Sequence, residues 1–319
     1  MAASAHVHAP LSITPRISAA DFTSDLDLTR DELASLLSLT AQVKHNRGRY
    51  SRALNGRYLS LLFEKPSLRT RITFELAIKQ LGGDAVLSNG PIGDREPLQD
   101  VARNLDRWTN CIVARTFSHD TIEELAAWSS VPVINALSDL YHPCQALADM
   151  FTLREHFGAD LRGRKLAFVG DGNNVAHSLM ICAAQLGLDF SLAHPQGHGP
   201  NTGIAACAQD LAASTGAALI VTTDPYEALA GADAVYTDVW TSMGQEGERE
   251  KRVHDFADYQ VNPALMAKAR PGARFMHCLP AKRGEEVTTN VFESPQSMVF
   301  DQAENRLHVQ KALLLMLLS

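Results

Sequence analysis

Residues 63–71 read Phe-Glu-Lys-Pro-Ser-Leu-Arg-Thr-Arg, with two hydroxyls and two arginines in the last five positions. They follow an apolar run at 57–63 and lead into a helical pattern at 70–81. Free backbone N–H groups and the positive end of the helix dipole collect at such a junction, which suits an anion. Ser67 and Thr70 add hydroxyl donors, and Arg69 and Arg71 can fork onto oxyanions. The plain alternative is Ser67 as a helix cap beside two solvated arginines.

Arg115 ends an apolar run at 111–115, and His142-Pro143-Cys144-Gln145 opens a later helix with proline at its first position. Ligands of open α/β sheets sit beyond the carboxyl ends of the strands, so these residues and 67–71 converge on one sheet edge. Gly170-Asp171-Gly172-Asn173-Asn174 also follows a strand and opens a helix. As a dinucleotide fingerprint it lacks its third glycine, replaced by Val175, and no acid follows the strand ending near His194. Asn173 and Asn174 either cap that helix or bind a polar ligand. Asp238 and Ser242, four residues apart in a polar loop, could hold an ammonium group or line a solvated turn. Cys278 follows His277, but neighbours on a strand point to opposite faces, so a Cys–His dyad is disfavoured. A polar contact to substrate or plain burial fits Cys278 better. No G-x-S-x-G and no phosphate-loop motif is present.

Apolar strand-like runs alternate with helical patterns from end to end. The runs at 57–63, 84–87, 111–117 and 131–137 form one series. Those at 165–169, 189–193, 218–221, 233–238 and 274–278 form a second. Continuous apolar strands separated by helices predict parallel sheets covered on both faces. The fold class is therefore α/β: two doubly wound parallel-sheet domains with an interdomain cleft. The first takes residues 1–150, the second 151–300, and a C-terminal helix over 301–319 packs back on the first. Residues 239–255 read as a mobile loop.

The 319 residues carry 29 Lys+Arg against 36 Asp+Glu, a net charge of −7, which argues against a nucleic-acid partner. Hydrophobic residues at 45% exclude a disordered chain. The longest apolar stretch, 312–318, falls far short of the ~20 residues a membrane span needs. Five cysteines with no C-x-x-C pair and no zinc spacing suit a reducing compartment and predict no metal site. No apolar core of a signal peptide opens the chain, so a cytoplasmic location is expected.

Taken together, the segments 63–71, 115–119, 142–149, 170–174, 238–244, 277–280 and 304–308 resemble the aspartate/ornithine carbamoyltransferase family, from about Asp27 to the C-terminus. The resemblance implies a carbamoyl phosphate domain followed by an amino-acid domain, and a homotrimer with sites between subunits. It implies transfer of the carbamoyl group of carbamoyl phosphate to the δ-amine of L-ornithine, giving L-citrulline and phosphate, without cofactor or metal. Carried over, Ser67, Arg69, Thr70 and Arg71 bind the phosphate, and Leu68 lies among them with a side chain that is not itself a ligand. Arg115, His142 and Gln145 hold the carbamoyl group, with Cys278, Leu279 and Arg306 completing that pocket. Of these, Arg115, His142 and Cys278 are the candidate catalytic residues. Asn174, Asp238, Ser242 and Met243 bind ornithine.

Three positions depart from the family pattern. Leu68 stands where threonine is common, and Lys282 where a histidine is usual. Pro91 replaces a glutamine that reaches the neighbouring subunit's site, with Arg95 near enough in sequence to help instead. The rival readings are a carbamoyltransferase for N-acylornithine or putrescine, and an NAD-dependent oxidoreductase built on 170–174. Asp238 favours free ornithine, since an acylated amine would leave the carboxylate without its cation.

Overall fold

The computed structural model describes residues 15–46, 48–65, 67–241 and 246–319. The first sheet comprises β1 (Tyr58–Phe63), β2 (Asp84–Asn89), β3 (Cys111–Arg115) and β4 (Val133–Leu137) in the order β2-β1-β3-β4. The second comprises β5 (Lys165–Val169), β6 (Asp189–Ala193), β7 (Leu219–Thr222), β8 (Ala234–Tyr236) and β9 (Arg274–Met276) in the order β7-β6-β5-β8-β9. Every pairing is parallel. The reason is visible in the side chains: β3 and β4 are buried along their whole length, as strands covered on both faces must be.

Each sheet has a point where the strand order reverses, between β1 and β3 in the first and between β5 and β8 in the second. Crevices open there beyond the strand ends. In the first sheet the register sets Phe63 beside Arg115, so the 64–71 segment and the residues after Arg115 leave the sheet together. In the second, β8 and β9 stop earlier than the apolar pattern suggests. Asp238 and Cys278 therefore lie past the strand ends.

The Pro143–Phe157 helix is buried from Pro143 through Leu153, the mark of a helix with neighbours on all sides. The C-terminal helix Val299–Leu318 packs on it and on the Arg30–His45 and Arg69–Gln80 helices. Among the described residues no helix is long and apolar enough to cross a membrane.

The expected mobile loop at 239–255 needs correction in its second half. A 3-10 turn at Glu246–Glu248 runs into a helix at Arg249–Asp255. Its anchor is Arg252, 3% exposed, which donates to Asp171 Oδ2 at 2.6 Å. A polar stretch gives no apolar periodicity to read, and the ion pair that holds it comes from 81 residues away.

Asp25 is buried where the N-terminal segment meets the Asn174–Leu186 helix of the second unit. Cys182 Sγ donates to its Oδ1 at 3.3 Å, while Oδ2 has no partner among the described residues. Burial pushes its pKa up to about 7 from 3.8, against hydrogen bonds from Ser178 and Cys182. The folded protein thus keeps a proton that the unfolded chain releases between these values, so stability falls as pH rises through that window and levels off above it. Asp25→Asn removes the titration. We expect it to raise Tm at both pH values, by roughly 5 °C more near pH 8, past the window, than near pH 5, where only about a third of the loss has accrued. Calorimetric scans showing the same Tm difference at both pH values would contradict this account.

Candidate active site

The Arg69–Gln80 helix begins after Leu68, which is helical and makes no side-chain capping bond. Ser67 is therefore not the cap, and the first-turn N–H groups are left for a ligand. Thr70 is buried, and its Oγ1 accepts from Arg306 Nη2 at 3.1 Å. Arg306, from the other end of the chain, also donates through Nη1 to Gln145 Oε1. Leu68 is 70% exposed and Arg71 is exposed, so these two positions do not join the buried set.

Arg69, Arg115 and Arg306 crowd one another and His142. Burial pushes Arg115 down to about 10, helped by the charges of Arg306 and Arg69. Burial and the three arginines hold His142 well below the usual imidazole range, so the ring is neutral and able to donate one hydrogen bond without carrying charge. Among the described residues none of these arginines makes an ion pair, and Nε of both Arg115 and Arg306 lacks a partner. Burying guanidinium groups without counter-charge is costly, and an anionic ligand removes that cost. Glu64 braces the wall by accepting from the backbone N–H groups of Ile92, at 3.1 Å, and Phe117, at 2.8 Å.

The opposite wall is built on Asp238. Its Oδ1 accepts from Cys278 Sγ at 3.0 Å and from the Val239 N–H at 2.8 Å, and its Oδ2 accepts from Asn173 Nδ2 at 2.8 Å. Asn173 caps the following helix with its other amide atom. The Asn174 amide reaches across to the Ser138 carbonyl at 2.6 Å, tying this turn to the end of β4. Burial and the Asp238 charge push the Cys278 thiol well above its ordinary range, which keeps the proton on sulfur and makes it a poor nucleophile. Arg69 feels the charge of Asp238, so the two walls face each other. Ser242 and Met243 lie outside the described residues.

Asp238, His277 and Cys278 bring ligand-type atoms within 4.8 Å of one another. Their lone pairs are already committed. His277 Nδ1 accepts from the Leu279 N–H at 2.8 Å and its Nε2 meets Glu286 Oε1 at 3.2 Å, while the thiol bonds Asp238. His277 thereby holds Leu279 at φ 60°, a backbone state that persists only where the surroundings impose it. The dinucleotide reading of 170–174 also fails on geometry. The Gly172 N–H donates to the His198 carbonyl, and a Cβ there would meet Pro200 N at 2.2 Å. The glycine serves close packing within the chain, and the cradle a pyrophosphate needs is filled.

A model of the carbamoyl-P binding domain of aspartate/ornithine carbamoyltransferases matches residues 20–155, and one of their Asp/Orn binding domain matches 162–317. The chain belongs to the aspartate/ornithine carbamoyltransferase family. The ornithine carbamoyltransferase of Anoxybacillus flavithermus is 48% identical over 314 residues, 97% of this chain and 99% of that protein. The solved ornithine carbamoyltransferase from Pyrococcus furiosus has a TM-score of 0.90 at 46% identity, covering 95% of this chain and 97% of that one. The one from Thermus thermophilus has a TM-score of 0.86 at 48% identity, covering 94% and 99%.

Within this carbamoyltransferase architecture some polar groups escaped the sequence reading as site residues. Asn173 orients Asp238, yet in the sequence it looked as much like a cap as a ligand, and it is both a cap and a brace. Gln302 accepts from the His277 N–H at 2.9 Å from an otherwise ordinary helix. Its spacing from Arg306, one helical turn, is the only hint the sequence carries.

Proposed function

We propose that this chain transfers the carbamoyl group of carbamoyl phosphate to the δ-amine of L-ornithine, giving L-citrulline and phosphate. The observation that carries this reading is the cluster of buried Arg115 and Arg306 with half-buried Arg69, none of them in an ion pair among the described residues, facing the carboxylate of Asp238 across the cleft. The phosphate takes the open helix N-terminus with Ser67, Arg69, Thr70 and Arg71. The carbamoyl oxygen points to Arg115 and neutral His142, with Gln145, Cys278, Leu279 and Arg306 around it. Asp238 pairs with the α-ammonium, and Asn174, Ser242 and Met243 complete the amino-acid pocket.

The δ-amine is mostly protonated at neutral pH, with a pKa of ~10.4 by analogy with lysine, and the arginine field favours its neutral form. Its nitrogen attacks the carbonyl carbon, forming the C–N bond. Charge builds on the oxygen facing Arg115 and His142, donors held in place before the reaction. The carbon–oxygen bond to phosphate then breaks, and the departing phosphate takes the amine's proton. A panel of ornithine, N-acetylornithine, putrescine, lysine and aspartate with carbamoyl phosphate tests the acceptor. Ornithine should have the highest kcat/KM by a wide margin; any other amine in first place would replace this reading.

Residues 1–150 with 301–319 form the carbamoyl phosphate domain and 151–300 the ornithine domain, a division supported by the packing of the C-terminal helix on the first unit. The working form is a cytoplasmic homotrimer. Leu68, Ile72 and Leu76 line one exposed stripe of the Arg69–Gln80 helix, and Val86 is 64% exposed on the edge strand β2. A row of apolar side chains at the lip of the site suits a second copy of the chain, which would also bring Pro91 and Arg95 to its neighbour. Light scattering should give about 104 kDa, three times the 34.7 kDa chain. A mass near that of one chain would remove the trimer from this reading.

A further inference from the structure

Asp149 lies one turn beyond Gln145 on the Pro143–Phe157 helix and is fully buried. Its Oδ1 accepts from Gln145 Nε2 and from Gln302 Nε2, both at 2.8 Å, and its Oδ2 accepts from the Tyr236 hydroxyl at 3.0 Å. Each donor leads to a different part of the site. Gln145 continues to Arg306 and thence to Thr70. Gln302 continues to the His277 N–H, next to Cys278. Tyr236 ends β8, two residues before Asp238.

A side-chain amide has one donating and one accepting end, and the chain around it decides which way it points. An acceptor at Oδ1 obliges both glutamines to present their NH2 groups to Asp149. Their carbonyl oxygens must then face outward, where Arg306 and the His277 N–H need acceptors. If either amide turned over, an NH2 group would meet a donor in a buried space, leaving both unsatisfied.

We propose that Asp149 is a positioning residue: by fixing the amide polarity of Gln145 and Gln302 it holds Arg306 on one wall and the Cys278 turn on the other. It touches neither substrate and acts through those two amides. The inference rests on the carbamoyl-transfer reading above, which the wild-type enzyme tests separately through citrulline formation.

Three variants of the full-length protein decide it, assayed near pH 8.5, above the value of about 7 to which burial pushes Asp149. Asp149→Leu removes the acceptor, and both kcat and carbamoyl phosphate affinity should fall, kcat by ~100-fold or more. Asp149→Asn keeps one oxygen for both glutamines and offers its NH2 to the Tyr236 oxygen, so it should stay within about fivefold of wild type on both measures. Gln302→Met cuts only the arm to His277. It should lower kcat for ornithine tenfold or more, with carbamoyl phosphate affinity by calorimetry unchanged within twofold. If Asp149→Asn loses as much as Asp149→Leu, the carboxylate charge rather than amide polarity matters and the proposal fails. It also fails if folded Asp149→Leu keeps wild-type constants while only its Tm drops. Should Asp149→Leu not fold, the Gln302→Met split decides, and wild-type kinetics there would overturn the proposal. An enzyme that makes no citrulline at all would instead remove the functional reading beneath it.

Discussion

Arg69→Ala should be folded, at least as heat-stable as the parent, and unable to saturate with carbamoyl phosphate. Arg69 lies among Arg115, Arg306 and His142, and its charge adds to the burial and the neighbouring arginines that push Arg115 and His142 down. Removing it relieves repulsion in the unliganded protein, so Tm should hold or rise, the pattern of a site that trades stability for binding. A charge-assisted bond to an anion is worth ~1.5–3 kcal/mol, and more where the remaining partners stay buried. Carbamoyl phosphate affinity should thus fall by at least roughly tenfold to a hundredfold. Calorimetry giving unchanged affinity in the folded variant would show that the anion binds elsewhere.

Asp238→Asn should spare the first substrate and strike the second. The variant keeps the shape of the side chain and removes the charge that pairs with the α-ammonium of ornithine. The loss should be ~2–3 kcal/mol in kcat/KM, the scale of a partly desolvated ion pair losing one partner. Putrescine has no α-ammonium and should lose much less. Asp238 also accepts from Cys278 and Asn173, and any disturbance of those contacts strikes both amines alike and cancels in their ratio. Carbamoyl phosphate affinity should hardly change. Equal losses for the two amines would make Asp238 structural and reopen the choice of acceptor.

Much of this was open to reading along the chain. Two series of apolar strands broken by helices imply two parallel sheets, because burial on both faces leaves no room for alternation. The anion segment at 67–71 announced itself through hydroxyls and arginines at a strand–helix junction. These are local signals: one stretch of chain contains both the pattern and its cause.

Other features depend on which stretches meet. Arg306 lies more than two hundred residues from Thr70 and reaches it only because the last helix folds back. Asn173 and Gln302 are ordinary helix-end or helix-surface types until Asp238 and His277 are placed beside them. The 249–255 helix, read as loop, is held by an ion pair with distant Asp171. Asp25 is an unremarkable acid in a polar turn until the Asn174–Leu186 helix covers it and takes away its water. Periodicity reports the average burial of a stretch. The partner of a single buried polar atom is set by strand order and helix docking, and each such atom must find that partner or lose the hydration it had in the unfolded chain.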